Sequence, residues 1–280
     1  MRILIAGAVV VLSLSLANPA RAAGGYEIAF TPFLPVRALL QNYQPMRDYL
    51  ERELKEPVTF VSAPNYYEDN ERIRKRENAF IVAVANTAYL AFADSGYVPM
   101  LRPRISTRPM LVVRKDSTFK AIGDLSGKRV AMSDPLAVVS MQGMRMLREA
   151  GLSPARDVHM VHFANHTIAV NEVLAGEAGA AIVSDRAVLQ MSPAVQAQVR
   201  KLVIWDKGAL PGIVYLASPN VPAVQRERLS RAIQKFANET AEGRALMEKL
   251  GYGGLVPMTA REIKAFEPYG ARLRAVLRAG

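Results

Sequence analysis

The sequence contains no cysteine, one tryptophan and three histidines among 280 residues. Without cysteine there are no disulfides, no thiolate metal ligands and no thiol nucleophile, and nothing for a lipoprotein anchor to be attached to. A fold without disulfides is held by its own core, and a chain that is half apolar has ample material for one or two ordinary domains. Long apolar runs are equally scarce. The one conspicuous run covers residues 3–17, and it falls short of the roughly twenty residues that a membrane-spanning helix needs. Phosphate-loop and Gly-x-Ser-x-Gly signatures are missing. No carboxylates pair at a strand end as acid/base chemistry requires, so the reading is of a protein that is not an enzyme.

What is present begins with an address. Arg2 precedes the apolar run, and Asn18-Pro19-Ala20-Arg21-Ala22 then breaks it and offers an Ala-x-Ala cleavage site. The expectation is a signal peptide, residues 1–22, removed on export, leaving a soluble mature chain in a periplasm. The formal net charge of +11 falls by two, to +9, once Arg2 and Arg21 are gone. Such a balance draws anions from a distance. The basic residues nevertheless sit beside acids, as in Arg47-Asp48, Glu51-Arg52-Glu53 and Arg226-Glu227-Arg228. Aromatics are not interleaved with them, which argues against a nucleic-acid surface and for small anionic solutes.

Strand-like and helix-like patterns alternate along the chain. Strands are expected at 26–30, 57–61, 80–85, 110–113, 129–132, 159–163, 180–183, 202–205 and 213–217. A helix is expected to start at Pro45, a favourable first helical position; others cover 68–76, 141–150 and most of 222–250. Asn65-Tyr66-Tyr67 reads as a loop, and Thr259-Ala260-Arg261-Glu262 as a capping box opening a terminal helix. This alternation implies an α/β fold with parallel sheets. It divides into two lobes that the chain crosses between twice, near 115–119 and 206–211. Lobe one takes residues 24–115 and 210–280, lobe two residues 116–209.

Two facing α/β lobes make a cleft lined by loops at the carboxyl ends of strands. The candidate ligand-binding residues are those loops' polar side chains: Tyr66, Asn86, Thr87, Ser140, Asn165, His166 and Asp185. Ser140 is expected just before a helix, where the dipole favours an anion. The histidines do not make a metal site, because His159 and His162 are three apart on a strand and point to opposite faces.

Over about Tyr26 to Leu250 the sequence resembles the periplasmic phosphate/phosphite/phosphonate-binding proteins of ABC transporters. The stretches that carry the likeness are Ala63-Pro64-Asn65-Tyr66, Asp124-Leu125-Ser126-Gly127-Lys128, Ser133-Asp134-Pro135, Glu149-Ala150-Gly151-Leu152 and Asn165-His166, with Ile204-Trp205 followed by Leu210-Pro211. The resemblance implies a type 2 periplasmic-binding fold whose lobes close on a small oxyanion for delivery to an ABC transporter permease, with no cofactor and no metal. It implies a monomer, and it implies that Tyr66, a hydroxyl-rich helix start and His166 hold the anion. The chain departs from the family where hydroxyls are expected, having Leu136-Ala137-Val138-Val139-Ser140 instead. The acids that hold an aminophosphonate's amine are unmatched, Asp185 being nearest. A module that reports its solute to a membrane histidine kinase is the alternative on the same fold, and a secreted enzyme the alternative from another class.

Overall fold

The computed structural model describes residues 25–279, and the export signal expected in residues 1–22 lies outside them. The chain opens with β1 (Tyr26–Phe30), α1 (Val36–Leu54), β2 (Val58–Ser62), α2 (Tyr66–Arg74), β3 (Phe80–Ala83), α3 (Ala85–Ser95) and β4 (Val98–Pro103). Its middle carries β5 (Pro109–Arg114), β6 (Arg129–Met132), α4 (Val138–Glu149), β7 (His159–His162), α5 (His166–Leu174), β8 (Ala180–Ser184), α6 (Asp185–Leu189), α7 (Pro193–Gln198) and β9 (Val199–Ile204). It ends with β10 (Val214–Ala217), α8 (Ala223–Glu239), α9 (Ala241–Lys249), β11 (Leu255–Pro257), α10 (Ala260–Lys264) and α11 (Glu267–Ala279).

Six strands form one sheet, in the order β11-β4-β10-β3-β1-β2, and five form a second, β7-β6-β8-β5-β9. The second sheet shows why its strands read as unbroken apolar runs. Leu111, Val113, Val130, Met132, Ala180 and Ile182 pack on one face, and Met110, Val112, Ala131, Ala181 and Val183 on the other. A strand covered on both faces has no polar side to alternate with.

The sheets are mixed rather than wholly parallel. β2-β1-β3 and β7-β6-β8 run parallel, while β10 and β5 oppose their neighbours. β10 and β5 each enter directly from the other sheet, without the crossover helix that makes successive strands parallel. This also moves the first crossing. Residues 110–113 were expected in lobe one; β5 pairs in the second sheet, and the chain passes from the first sheet to the second over 104–108. An apolar run reads alike in either sheet; only its partners separate the two. The return lies between Ile204 and Val214. Thr107 and Leu210 join the two crossing segments, exchanging backbone hydrogen bonds of 2.7 and 3.0 Å.

Helix α1 begins nine residues before expected and holds Pro45 in its interior. An interior proline costs about 3 kcal/mol. The stripe Leu39, Tyr43, Met46, Leu50, Leu54 is fully buried on either side of it, and each such side chain contributes about 1.5–3 kcal/mol, so burial wins. Helix α3 and strand β4 were not expected at all. Ala85 to Ala91 are buried without a break, which removes the polar face that betrays an amphipathic helix. The terminal capping box is present, with Thr259 and Glu262 reciprocally bonded at the start of α10.

Candidate ligand-binding site

The parallel strands of both sheets send their carboxyl ends to one cavity, the place where open α/β sheets hold ligands. The cavity has about 40 Å³ of free space, where one water needs roughly 10–15 Å³ by the same measure. Its wall is made from helix starts: Tyr66 on α2, Val84 before α3, Ala137 and Val138 on α4, His166 on α5, Ser184 and Arg186 on α6. Thr107, Leu210 and Gly212 close it from the two crossings, and Tyr252 from the loop after α9.

Each helix start brings unpaired N–H groups and the positive end of a macrodipole. Asn65, Asn165 and Ser184 cap α2, α5 and α6 with side-chain oxygens. Helices α3 and α4 start at Val84 and Ala137, which make no such bond. No side chain caps their first N–H groups, and Val84, Ala137, Val138 and Val139 at these starts line the cavity, an arrangement that suits an anion.

The side chains add a second signal. Nine buried side-chain polar atoms lack a hydrogen-bond partner among the described residues, and five belong to residues lining this cavity: Tyr66 Oη, Thr107 Oγ1, His166 Nδ1, Arg186 Nε and Gln190 Oε1. Each such atom costs about 1–3 kcal/mol unless something pairs with it. Burial lowers the His166 pKa to about 4, so its imidazole is neutral at pH 7. Burial raises the Tyr66 phenol far above its ordinary range, with Asp134 and Asp69 adding to the effect, so the hydroxyl stays a neutral donor. Arg186 is the one charged side chain of the wall among the described residues.

Of the seven expected site residues, Tyr66 and His166 line the cavity. Tyr66, read as loop, is the first residue of α2. Asn165 is the cap before His166, and its Oδ1 accepts from Ile168 N at 3.2 Å. Ser140 lies within the first turn of α4 and turns away, its hydroxyl donating to the Ser133 carbonyl at 3.0 Å. Asp185 accepts from Arg108 N and Nε at 3.0 and 3.2 Å, so its carboxylate is spoken for. Thr87 is buried in α3, outside the wall. Asn86 is also outside it and joins the lobes instead: its Nδ2 donates to the Leu136 carbonyl at 2.7 Å.

Asn86 thus bridges the two sides of the cavity without lining it. Asn42 Nδ2, donating to the Gln190 carbonyl at 3.2 Å, and Gln190 Nε2, donating to Tyr252 Oη at 3.3 Å, bridge the same two lobes. Asn86→Ala is expected to weaken solute binding about five- to tenfold, one buried hydrogen bond's worth, almost wholly as a faster off-rate in stopped-flow traces. An unchanged off-rate would show that this bond does not hold the lobes shut.

Thr107, Gln142, Arg186, Gln190 and Tyr252 line the cavity without having been expected. Tyr252 did carry a signal, since it sits in Gly251-Tyr252-Gly253-Gly254, whose three glycines all have positive φ. That is a tight turn aimed at a fixed point.

The match of known families to the chain decides its identity. The family of periplasmic substrate-binding proteins of phosphonate ABC transporters matches residues 28–263. The chain belongs to that family. Its function is accordingly that of the substrate-binding component of an ABC transporter, a periplasmic role with a small solute and the transporter as partners. The family description favours transport over the sensory alternative.

The fold agrees. PhnD1 of Prochlorococcus marinus in complex with methylphosphonate superposes with a TM-score of 0.74 at 12% identity, covering 89% of this chain and 98% of that one. The binding protein component of a phosphonate ABC transporter of Pseudomonas aeruginosa gives 0.72 at 13% identity, covering 91% and 98%. The alkanesulfonate-binding protein SsuA of Xanthomonas axonopodis pv. citri, bound to MOPS, gives 0.62 at 19%, covering 91% and 93%. The chain thus has the two-lobed type 2 periplasmic-binding fold. No curated protein matches its sequence.

Proposed function

We propose that the cavity captures a small phosphonate-like oxyanion between the lobes and holds it for delivery to the permease. The observation that carries this is the convergence of five unpartnered buried polar atoms on a space that two uncapped helices also face. A buried anion needs donors in place of its hydration shell. Tyr66 Oη, Thr107 Oγ1 and Arg186 Nε supply three, and the starts of α3 and α4 supply backbone N–H groups. His166 completes the set from the other lobe as a neutral ring. In this reading residues 25–103 and 214–279 form one lobe and 109–204 the other, closing about the Thr107–Leu210 link. Removal of residues 1–22 on export belongs to the same reading, supported by Arg2, the apolar run and Ala20-Arg21-Ala22.

A thermal-shift panel of phosphate, phosphite, methylphosphonate, sulfate and methanesulfonate tests it. Binding to the native state raises Tm by mass action, and at least one member is expected to do so. In titration calorimetry with that ligand, Tyr66→Phe is expected to raise Kd about tenfold or more, the loss of one hydrogen bond to a charged group. A panel with no shift at all would sink the oxyanion assignment.

A further inference from the structure

The chemistry of the cavity wall narrows the solute beyond its oxyanion head. An amino-substituted oxyanion would bring an ammonium group into the cavity, and that group needs a carboxylate. Among the described residues, none of those lining the cavity is Asp or Glu. Of the acids near the wall in the chain, Glu68 is exposed to solvent and the buried or half-buried ones are engaged elsewhere. Asp185 takes Arg108 N and Nε, Asp69 accepts from Thr31 Oγ1 at 2.7 Å, and Asp134 accepts from Leu136 N at 2.8 Å. What the wall offers is the Arg186 guanidinium, which would repel a second cation. Gln190 Oε1 is a free acceptor, and its orientation is set because Nε2 donates to the Arg186 carbonyl at 3.3 Å. That oxygen is neutral and compensates no charge.

The remaining wall is apolar. Helix α4 opens on Ala137, Val138 and Val139, all lining the cavity, and Phe33, Val84 and Ile213 join them. The one hydroxyl in that first turn, Ser140, is committed to Ser133. Valines at a helix start offer contact to methyl or methylene groups and no hydrogen bond. With about 40 Å³ of free space, room beyond the oxyanion head suffices for a short substituent only.

We propose that this site selects an oxyanion bearing a short alkyl group and rejects the same oxyanion bearing an ammonium. The proposal rests on the oxyanion reading above and names its substituent. Burying an ammonium with no counter-charge costs several kcal/mol, whereas a methyl group in its place gains by burial.

Ethylphosphonate and aminomethylphosphonate test this directly, because they differ by a methyl group against an ammonium of nearly equal size. Titration calorimetry of the wild-type protein at pH 7 with both, and with methylphosphonate and phosphate alongside, is expected to show ethylphosphonate binding about 100-fold or more tightly than the amine. A preference under tenfold, or one for the amine, overturns the proposal while leaving the oxyanion reading in place. Phosphate binding without ethylphosphonate binding does the same. Absence of binding by all four overturns both together. In Val138→Asp, which adds an acid at a helix start where acids are tolerated, the preference for the alkyl ligand is expected to fall at least tenfold. An undiminished preference in a variant that folds with an unchanged circular dichroism spectrum counts against the proposed wall.

Discussion

Replacing Arg186 by methionine raises the Kd for the oxyanion about 100- to 1000-fold, the range expected when one partner of a buried charge pair is removed. The guanidinium is the one charged group of the wall among the described residues, its side chain is 17% exposed, and its Nε lacks a hydrogen-bond partner. Asp185 Oδ1 stands 3.8 Å from Nε, too far for a hydrogen bond, and its carboxylate is already held by Arg108. The guanidinium is therefore poised for a bond that the protein itself does not make. Methionine keeps the apolar stem beside Gly251, where NH1 now packs, and removes only the charged fork. Because the ligand-free protein loses an unpaired donor, its own Tm is expected to hold or rise slightly while affinity collapses. Arg186→Lys restores charge without the planar fork and should recover part of the binding. Wild-type affinity in the methionine variant would remove Arg186 from the site and leave the neutral donors and helix starts to hold the anion alone.

Arg186 also shows where sequence reading stopped. Its neighbour Asp185 was the expected site residue, because it follows strand β8 directly. Which of two adjacent side chains points into a cavity depends on how α6 is set against the opposite lobe, and that lies in no local pattern. Ser140 stays off the cavity wall for a related reason. The hydroxyl is at a helix start, as expected, but Ser133 is within reach and takes it. Tyr66 and His166, expected because they follow strands directly, do line the cavity, and each begins a helix behind an asparagine cap, Asn65 and Asn165, that the sequence reading had not placed there. The same Asn-x motif in both lobes marks equivalent places in two similar halves. Of the fold, the strands and the last capping box were legible since each has a local cause. The crossing at 104–108 was not, because β5 is apolar on both faces and its strand partners alone assign it to the second sheet. Helix α3 was hidden by the burial of its whole first half, and α1's start by a proline whose cost the buried stripe around it outweighs.

The stability of the ligand-free protein is expected to respond little to pH between about 4 and 6.5 through two buried groups, His166 and Asp69, because they pull in opposite directions. Burial lowers His166 from 6.5 to about 4, so in that window the unfolded chain binds its proton and the folded protein does not. Stability from this group is complete above 6.5 and is lost as pH falls toward 4, about 3 kcal/mol in all. Asp69 behaves inversely. Burial raises it from 3.8 to about 7, against the lowering effects of the Thr31 hydrogen bond and Arg72. Here the folded protein keeps a proton that the unfolded chain gives up, so stability is complete below 3.8 and is lost as pH rises through 7, about 4 kcal/mol in all. Each substitution should therefore unmask the other group. Relative to wild type, His166→Asn is expected to become less stable as pH rises from 4.5 to 6.5, and Asp69→Asn more stable, with slopes in urea unfolding approaching one proton each. The difference from wild type isolates one group from the many surface carboxylates that titrate in the same range. If the His166→Asn curve runs parallel to wild type, the imidazole titrates in the folded protein no lower than in the unfolded chain, and burial does not hold it neutral through the acid range. If only the Asp69→Asn curve runs parallel, the acid beneath Tyr66 is ionised in the folded state, and the Tyr66 hydroxyl then works beside a negative charge that weakens its pull on an anion.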